Sequence, residues 1–363
     1  MSYGDYPSLE GVKKILVIKL RHLGDVLLTT PVISALKKRF GSAEIDAYIY
    51  KEAALILEGH PGISNLILYD REWKRQTLFL KMAKEATILR KIRNNKYDLV
   101  INLTEGDRGA IASKATGAAV RVGYDTDKKK RKFYTHLTKV CHGNRHTVER
   151  SLDPLRRIGI FPGENERDLT FQIPDSAEKN VLDLLSNKWP EKGRYILIHP
   201  TSRWRFKCWP AAKMHALLKR LLSEGKRVVI VSGKDDVEKK MVDEIVQGLD
   251  TDNLLNLAGA VSLKELGALI HHSSSMLCVD SVSFHMANAL KANVVALFGP
   301  TSDITWGSWK NPNARVLTKD LPCRPCYMDG CGGSKMADCL YTLGEDRVYH
   351  AINQSLKTSL SII

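Results

Sequence analysis

The feature that most constrains this chain is an alternation of short β-branched runs with helical patterns, which occurs in two successive blocks. Lys14-Ile-Leu-Val-Ile-Lys19 opens the first block, and a run apolar on both strand faces is the mark of a parallel strand covered on both sides. Further strands are expected at residues 44–50, 65–69 and 97–102. Helical patterns run over 26–39, 53–60, a long basic stretch ending near Asn94, and 109–115. Pro31 should kink the first of these or start it anew. The alternation lapses over 123–150, and a helix over 147–159 follows. It resumes with strands at 195–199, 227–232, 254–256, 275–279 and 293–298, and with helices at 210–225, 235–249, 263–271 and 284–290. Residues 174–193 read as a linker and 344–363 as a closing amphipathic helix. The expected fold class is therefore α/β, with two Rossmann-like domains at 1–173 and 174–343 and a terminal helix over 344–363.

Composition narrows the function classes. A chain of 363 residues exceeds one ordinary core, and 44% hydrophobic with 26% charged residues is a globular rather than a disordered balance. The first eleven residues lack the basic start and apolar centre of a signal peptide. No stretch approaches the ~18–20 apolar residues that span a bilayer, so a cytoplasmic location is expected. The net charge of +15 favours polyanionic partners: nucleic acid, anionic lipid headgroups or a phosphorylated substrate. Zinc-finger spacings, a basic zipper and a base-stacking sheet signature are all missing, so nucleic acid is not the expected partner. Cys141, Cys208 and Cys278 are isolated and read as packing residues. Cys323, Cys326, Cys331 and Cys339 form C-x2-C-x4-C-x7-C, four thiols that a structural zinc would accept. The spacing is irregular beside familiar zinc ribbons, unligated thiols are favoured, and no cofactor is expected.

Open parallel sheets bind ligands beyond the carboxyl ends of their strands. Three loops at such positions carry unusual chemistry. The first, Lys19-Leu-Arg-His-Leu-Gly-Asp25, places Asp25 near a helix start, either as a plain cap or as a carboxylate able to take a proton from a hydroxyl. It is not the Gly-x-Gly-x-x-Gly dinucleotide loop. The second, His199-Pro-Thr-Ser-Arg-Trp-Arg-Phe-Lys-Cys-Trp-Pro210, offers the Thr201 and Ser202 hydroxyls and the Lys207 ammonium before a helix, a set suited to a diphosphate. The third, Val279-Asp-Ser-Val-Ser-Phe-His285, puts Asp280 and Ser281 at a strand end, and is followed by Phe298-Gly-Pro-Thr301. His285 alone reads as a structural histidine.

Together, L-R-H-L-G-D-V-L-L-T-T-P at 20–31, T-S-x-x-x-x-K-x-W-P, and D-S-x-x-x-H with F-G-P-T resemble glycosyltransferase family 9, with a leaning to its heptosyltransferase III members. The resemblance runs over nearly the whole chain. It implies a GT-B fold: two facing Rossmann-like domains, an interdomain cleft, and a C-terminal helix that returns to the first domain. It also implies a metal-free inverting transfer of heptose from ADP-L-glycero-D-manno-heptose to the heptose region of the lipopolysaccharide inner core, the third heptose being the expected step. Carried over by motif, the general base falls on Asp25, the phosphate-contacting hydroxyls on Thr201 and Ser202, and the phosphate-binding lysine on Lys207. The donor-contacting stretch becomes Asp280, Ser281 and Val282, with His285 at the matching histidine and Val282 in place of the family's glycine. Glu238 is the carboxylate nearest the ribose-binding position, one residue out of register, and Val261 falls on the adenine side. An anionic acceptor makes Arg71, Lys74, Arg75 and the run Lys128, Lys129, Lys130, Arg131, Lys132 candidate acceptor contacts, although such a run also reads as a solvated loop. The expected partners are ADP-heptose, the lipopolysaccharide core and, peripherally, the anionic cytoplasmic face of the inner membrane. Two other classes stay open on the residues: a different nucleotide-sugar enzyme of the same fold, such as an epimerase, and a basic nucleic-acid-binding protein.

Overall fold

The computed structural model describes residues 6–140, 143–191, 193–249 and 251–360; Cys141 lies outside the described residues. The chain divides into two compact units between Thr170 and Phe171, slightly ahead of the expected boundary.

In the first unit six strands form one parallel sheet: β1 (Lys14–Lys19), β2 (Glu44–Tyr50), β3 (Asn65–Tyr69), β4 (Leu99–Asn102), β5 (Val120–Tyr124) and β6 (His136–Thr138), in the order β3-β2-β1-β4-β5-β6. The order reverses at β1, which pairs with β2 on one side and β4 on the other. Ile15, Leu16, Val17 and Ile18 are all buried, as two-sided coverage requires. Pro31 stands in the first turn of the helix Thr30–Arg39, which follows the short helix Leu23–Leu27. A proline costs nothing there because that N–H has no helical partner. Pro154 lies inside the helix Thr147–Arg156 and supplies no N–H to the carbonyl of Arg150, which instead accepts from the Tyr124 hydroxyl at 2.9 Å.

The second unit repeats the topology with β7 (Ile196–His199), β8 (Val228–Ser232), β9 (Leu254–Ala258), β10 (Ser275–Val279), β11 (Val294–Phe298) and β12 (Ala314–Thr318), ordered β12-β11-β10-β7-β8-β9 and again wholly parallel. Its reversal falls between β7 and β10. The helix Ala211–Ser223 buries Met214, Leu217, Leu218, Leu221 and Leu222, a stripe at helical spacing. That stripe joins a core with Ile196, Ile198, Val228 and Leu277. The terminal helix Glu345–Leu360 adds Val348, Ala351 and Ile352 to the same core. These residues of the closing helix pack on the second unit's own sheet.

Three expectations are corrected. The linker at 174–193 contains a helix, Asp175–Lys188, in which Ala177 and Val181 are buried. Glu178 pairs with His272 at 3.0 Å, and Asn180 donates to Glu265 at 3.2 Å, so this helix is held to the helix Leu263–His272. The lapse over 123–150 hides β6, and neither β5 nor β12 is among the expected strands.

Gly123 in β5 lies under the ring of Tyr134, whose hydroxyl accepts from Asn102 Nδ2 at 2.6 Å. A methyl at 123 would overlap that ring. Gly123→Ala is therefore expected to destabilise the first unit by about 1–3 kcal/mol, measured by denaturant unfolding of the full chain; an unchanged midpoint would show that the ring has room to move.

Candidate functional site

In the first unit the chemistry gathers where β1 and β4 end. Leu20 N–H donates to Thr104 Oγ1 at 2.8 Å, and Thr104 N–H donates to Asn102 Oδ1 at 2.9 Å. These bonds pin the loop that follows β1 to the loop that follows β4. A Cβ at Gly109 would sit 2.8 Å from Asn102 Oδ1, so the glycine lets the helix Asp107–Ala115 approach that side chain. Asp25, half-buried, stands in the first turn of Leu23–Leu27, whose N-terminal residue His22 provides no side-chain cap. Lys19 is buried and donates to Leu103 O at 3.2 Å. Burial pushes its pKa below the ordinary lysine value, and the negative charge of Asp25 draws it back up. An ammonium and a carboxylate thus sit together at the reversal of the strand order.

The cations proposed for an acceptor spread along the same carboxyl edge. After β3, Arg71 pairs with Glu52 at 3.0 Å and lies over the Tyr50 ring, Arg75 pairs with Glu72 at 2.9 Å, and Lys74 is exposed. After β5 the basic run forms a 3-10 turn, Lys128–Phe133, with Asp127 accepting from Lys129 N–H at 2.9 Å. Lys130 bridges to Asp107 at 3.0 Å and donates to Glu105 O at 3.0 Å, while Arg131 makes a two-pronged pair with Asp125. Lys128, Lys129 and Lys132 are exposed. Part of the run is therefore structural and part is available to a ligand.

In the second unit the loops after β7, β8, β10 and β11 converge through their side chains. The Thr201 hydroxyl donates to Glu238 Oε2 at 2.6 Å, and Gly233 N–H donates to the same oxygen at 3.1 Å. His199, buried beside Thr201, has its pKa lowered by burial, with the charge of Glu238 opposing the shift. Lys207 donates to Asp280 Oδ2 at 2.7 Å, and the Thr301 hydroxyl donates to the same oxygen at 2.7 Å. Ser281 precedes the helix Val282–Ala289 without capping it by its side chain, and shares a 2.8 Å contact with Ser283 Oγ. The amides that open this helix have no cap from Ser281, the arrangement in which a helix start receives an anion. Trp209, fully buried, donates from Nε1 to Leu343 O at 3.2 Å and anchors the loop that carries Thr201, Ser202 and Lys207.

Comparison with known proteins identifies the chain at the level of family. The family model for glycosyltransferase family 9 (heptosyltransferase) matches residues 86–336. The chain belongs to glycosyltransferase family 9. Lipopolysaccharide heptosyltransferase 3 of Escherichia coli is 36% identical over 296 residues, covering 80% of this chain and 85% of that one. A solved family 9 glycosyl transferase from Veillonella parvula superposes with a TM-score of 0.81 at 22% identity, covering 95% and 97% of the two chains. The E. coli ADP-heptose heptosyltransferase II gives 0.75 at 21% identity, covering 95% and 99%. The fold is α/β of the GT-B class, the chain is a glycosyltransferase, and the epimerase and nucleic-acid readings are set aside.

The structure brings most of the sequence-derived donor residues together. Thr201 and Glu238 touch, Lys207 and Asp280 touch, and Ser281 and Val282 follow directly at the head of their helix. Val261 lies past the end of β9, just before Ser262, which caps the next helix and accepts from Glu265 N–H at 3.2 Å. His285 is buried among Phe284 and Trp306, with 6.5 Å between its ring and the indole. Cys208 is more than packing: its Sγ accepts from Ser202 N–H at 3.3 Å, and burial raises its pKa to about 11. Cys278 is buried in β10. In the terminal cysteine segment, Cys339 is buried near Gly299, Cys331 accepts from Asp338 N–H at 3.3 Å, and Cys323 is exposed. Among the described residues no three His, Cys, Asp or Glu side chains are grouped to hold a metal. Sequence reasoning missed Lys19 and Thr301, although both stand inside the quoted motifs. It also missed Arg324, whose Nε donates to Gly299 O at 2.6 Å and ties the cysteine segment to the loop bearing Thr301.

Glu238 holds two donors on one oxygen, so its removal leaves the Thr201 hydroxyl and the Gly233 amide without that partner. Glu238→Ala is expected to cost about 1–3 kcal/mol in denaturant unfolding and Glu238→Gln distinctly less. Equal stability of all three proteins would deny the carboxylate this organising role.

Proposed function

We propose that this heptosyltransferase moves heptose from ADP-L-glycero-D-manno-heptose to the heptose region of the lipopolysaccharide inner core, adding the third heptose, at the cytoplasmic face of the membrane. The observation that carries the assignment of roles is the Lys207–Asp280–Thr301 cluster beside the open start of the helix Val282–Ala289. A buried carboxylate there holds an ammonium ready for a diphosphate. The likeness to heptosyltransferase 3 supports the choice of step.

In this reading the second unit binds the donor. Thr201, Ser202 and Lys207 take the diphosphate together with the amides at Ser281 and Val282, the remaining oxygen of Glu238 takes the ribose, and Val261 packs on the adenine. Ser281 supplies a hydroxyl, and His285 supports the helix from within. Val282 takes the place of the family's glycine, so the chain approaches the donor there with a side chain present. The first unit binds the acceptor, with Arg71, Lys74, Arg75, Lys128 and Lys132 receiving its anionic groups. The acceptor oxygen attacks the anomeric carbon from the face opposite the diphosphate. A carbon–oxygen bond forms as the bond to the β-phosphate oxygen breaks, and the electron pair leaves with ADP. The acceptor proton passes to the carboxylate of Asp25. Lys207 and the helix amides meet the charge that develops on the leaving group. Lys19, buried beside Asp25, places a positive charge near that carboxylate.

The direct test is ADP release from ADP-heptose with and without lipopolysaccharide core lacking that heptose. Acceptor-dependent release with a mass gain of one heptose is expected, and ADP-heptose that fails to bind would overturn the reading. Asp25→Asn should lower turnover by roughly 10²–10⁴ with little change in donor affinity, and near-normal turnover would remove the base. Lys207→Ala should weaken ADP binding by about tenfold or more, measured by calorimetry; unchanged affinity would remove the lysine from the diphosphate site.

A further inference from the structure

We propose that the start of the helix Leu78–Asn94 is a membrane-docking tip whose apolar side chains enter an anionic lipid surface. The helix opens with Leu78, Phe79 and Leu80, then Met82, and these are 70%, 80%, 49% and 61% exposed. A solvated helix start has no use for four large apolar side chains in five positions, and a cluster this dense is not the scattered exposure that surfaces tolerate. The helix is anchored elsewhere: Ile88 and Ile92, about two and three turns beyond Met82, are buried in the first unit's core. The tip is thus a projecting end of a firmly held element.

Its charge selects the partner. Between residues 71 and 84 stand five cations, Arg71, Lys74, Arg75, Lys81 and Lys84, against one acid, Glu72. A second copy of a chain carrying +15 would meet this segment with repulsion, whereas an anionic bilayer attracts the cations and accepts the apolar residues between them. Among the described residues no helix is long and apolar enough to cross a membrane, so insertion here would be shallow. Lys84 lies over the Trp73 ring, and that ring packs 5.1 Å from Tyr69 at the end of β3. The tip therefore sits at the carboxyl edge of the first sheet, the edge that also carries Asp25. Docking by this tip would bring that edge to the bilayer holding a lipid-anchored acceptor, a consequence that rests on the proposed function; the docking itself does not.

The test is co-sedimentation of the full chain with vesicles of phosphatidylethanolamine containing a quarter phosphatidylglycerol, compared with phosphatidylcholine vesicles, at low and at 0.5 M salt. Binding to the anionic vesicles is expected, with a fraction that survives high salt because apolar side chains are inserted. The double variant Phe79→Ser, Leu80→Ser should lose the salt-resistant fraction and bind at least about tenfold more weakly at low salt, with an unchanged melting temperature, since both side chains are exposed. Wild-type binding by that variant would overturn the proposal. So would equal binding to phosphatidylcholine, or a wild-type dimer that the variant dissolves. The same variant should keep wild-type turnover on a water-soluble, delipidated core oligosaccharide. Loss of turnover there, with the melting temperature kept, would place Phe79 and Leu80 in acceptor binding and overturn their role as a lipid anchor. Failure of the wild-type protein to use that acceptor would count against the proposed function and leave the vesicle result standing.

Discussion

Each unit is organised by a strand that has helices on both faces and neighbours on both edges. β1 and β7 stand at the point where the strand order reverses, so the connections on either side leave in opposite directions and their loops part. Both faces of the sheet are sealed, and polar groups have one place to gather, the carboxyl ends of these central strands. Lys19, Asp25, Asn102 and Thr104 collect there in the first unit, and His199, Thr201, Lys207 and Asp280 in the second. The burial of Ile15 to Ile18 and of Ile196 to Ile198 is thus the condition for the sites as much as for the core.

Most of this was legible because the signals are strong and local. A run such as Lys14-Ile-Leu-Val-Ile-Lys19 is compatible with little but a buried strand, and the polar residues that follow it stand out against it. The helix Asp175–Lys188 was hidden for a physical reason. It buries Ala177 and Val181 and leaves most of its surface polar, and the Pro- and Gly-containing approach to it reads as linker. β6 has three residues, none of them part of an apolar run, and is held by pairing with β5 rather than by its own propensity. Contacts distant in sequence were likewise out of reach. Nothing in the order of residues says that Thr201 and Glu238 share a hydrogen bond, or that Thr301 and Lys207 grip one carboxylate oxygen.

The basic character of the chain resolves into different kinds of charge. Arg131 and Lys130 are spent largely on neighbouring acids, whereas Lys128, Lys129, Lys132 and Lys74 are exposed. Lys207 is a third kind, held by a buried aspartate whose other bond is to a threonine hydroxyl. A net charge reports none of these differences. Surface pairs of the first kind contribute little to stability, about 0–1 kcal/mol each, so their value lies in where they fix the loops.

The bond from the Trp209 indole to the carbonyl of Leu343, which also accepts from Lys213 at 3.0 Å, spans 134 positions of chain. As the polypeptide leaves the ribosome, β1 finds its second neighbour once β4 has emerged, so the first unit matures early. The loop of Thr201, Ser202 and Lys207 must wait for residue 343 before its tryptophan has a partner, and for Val348, Ala351 and Ile352 before its core is closed. Nascent chains should therefore carry a finished first unit well before the loop of Thr201, Ser202 and Lys207 is set.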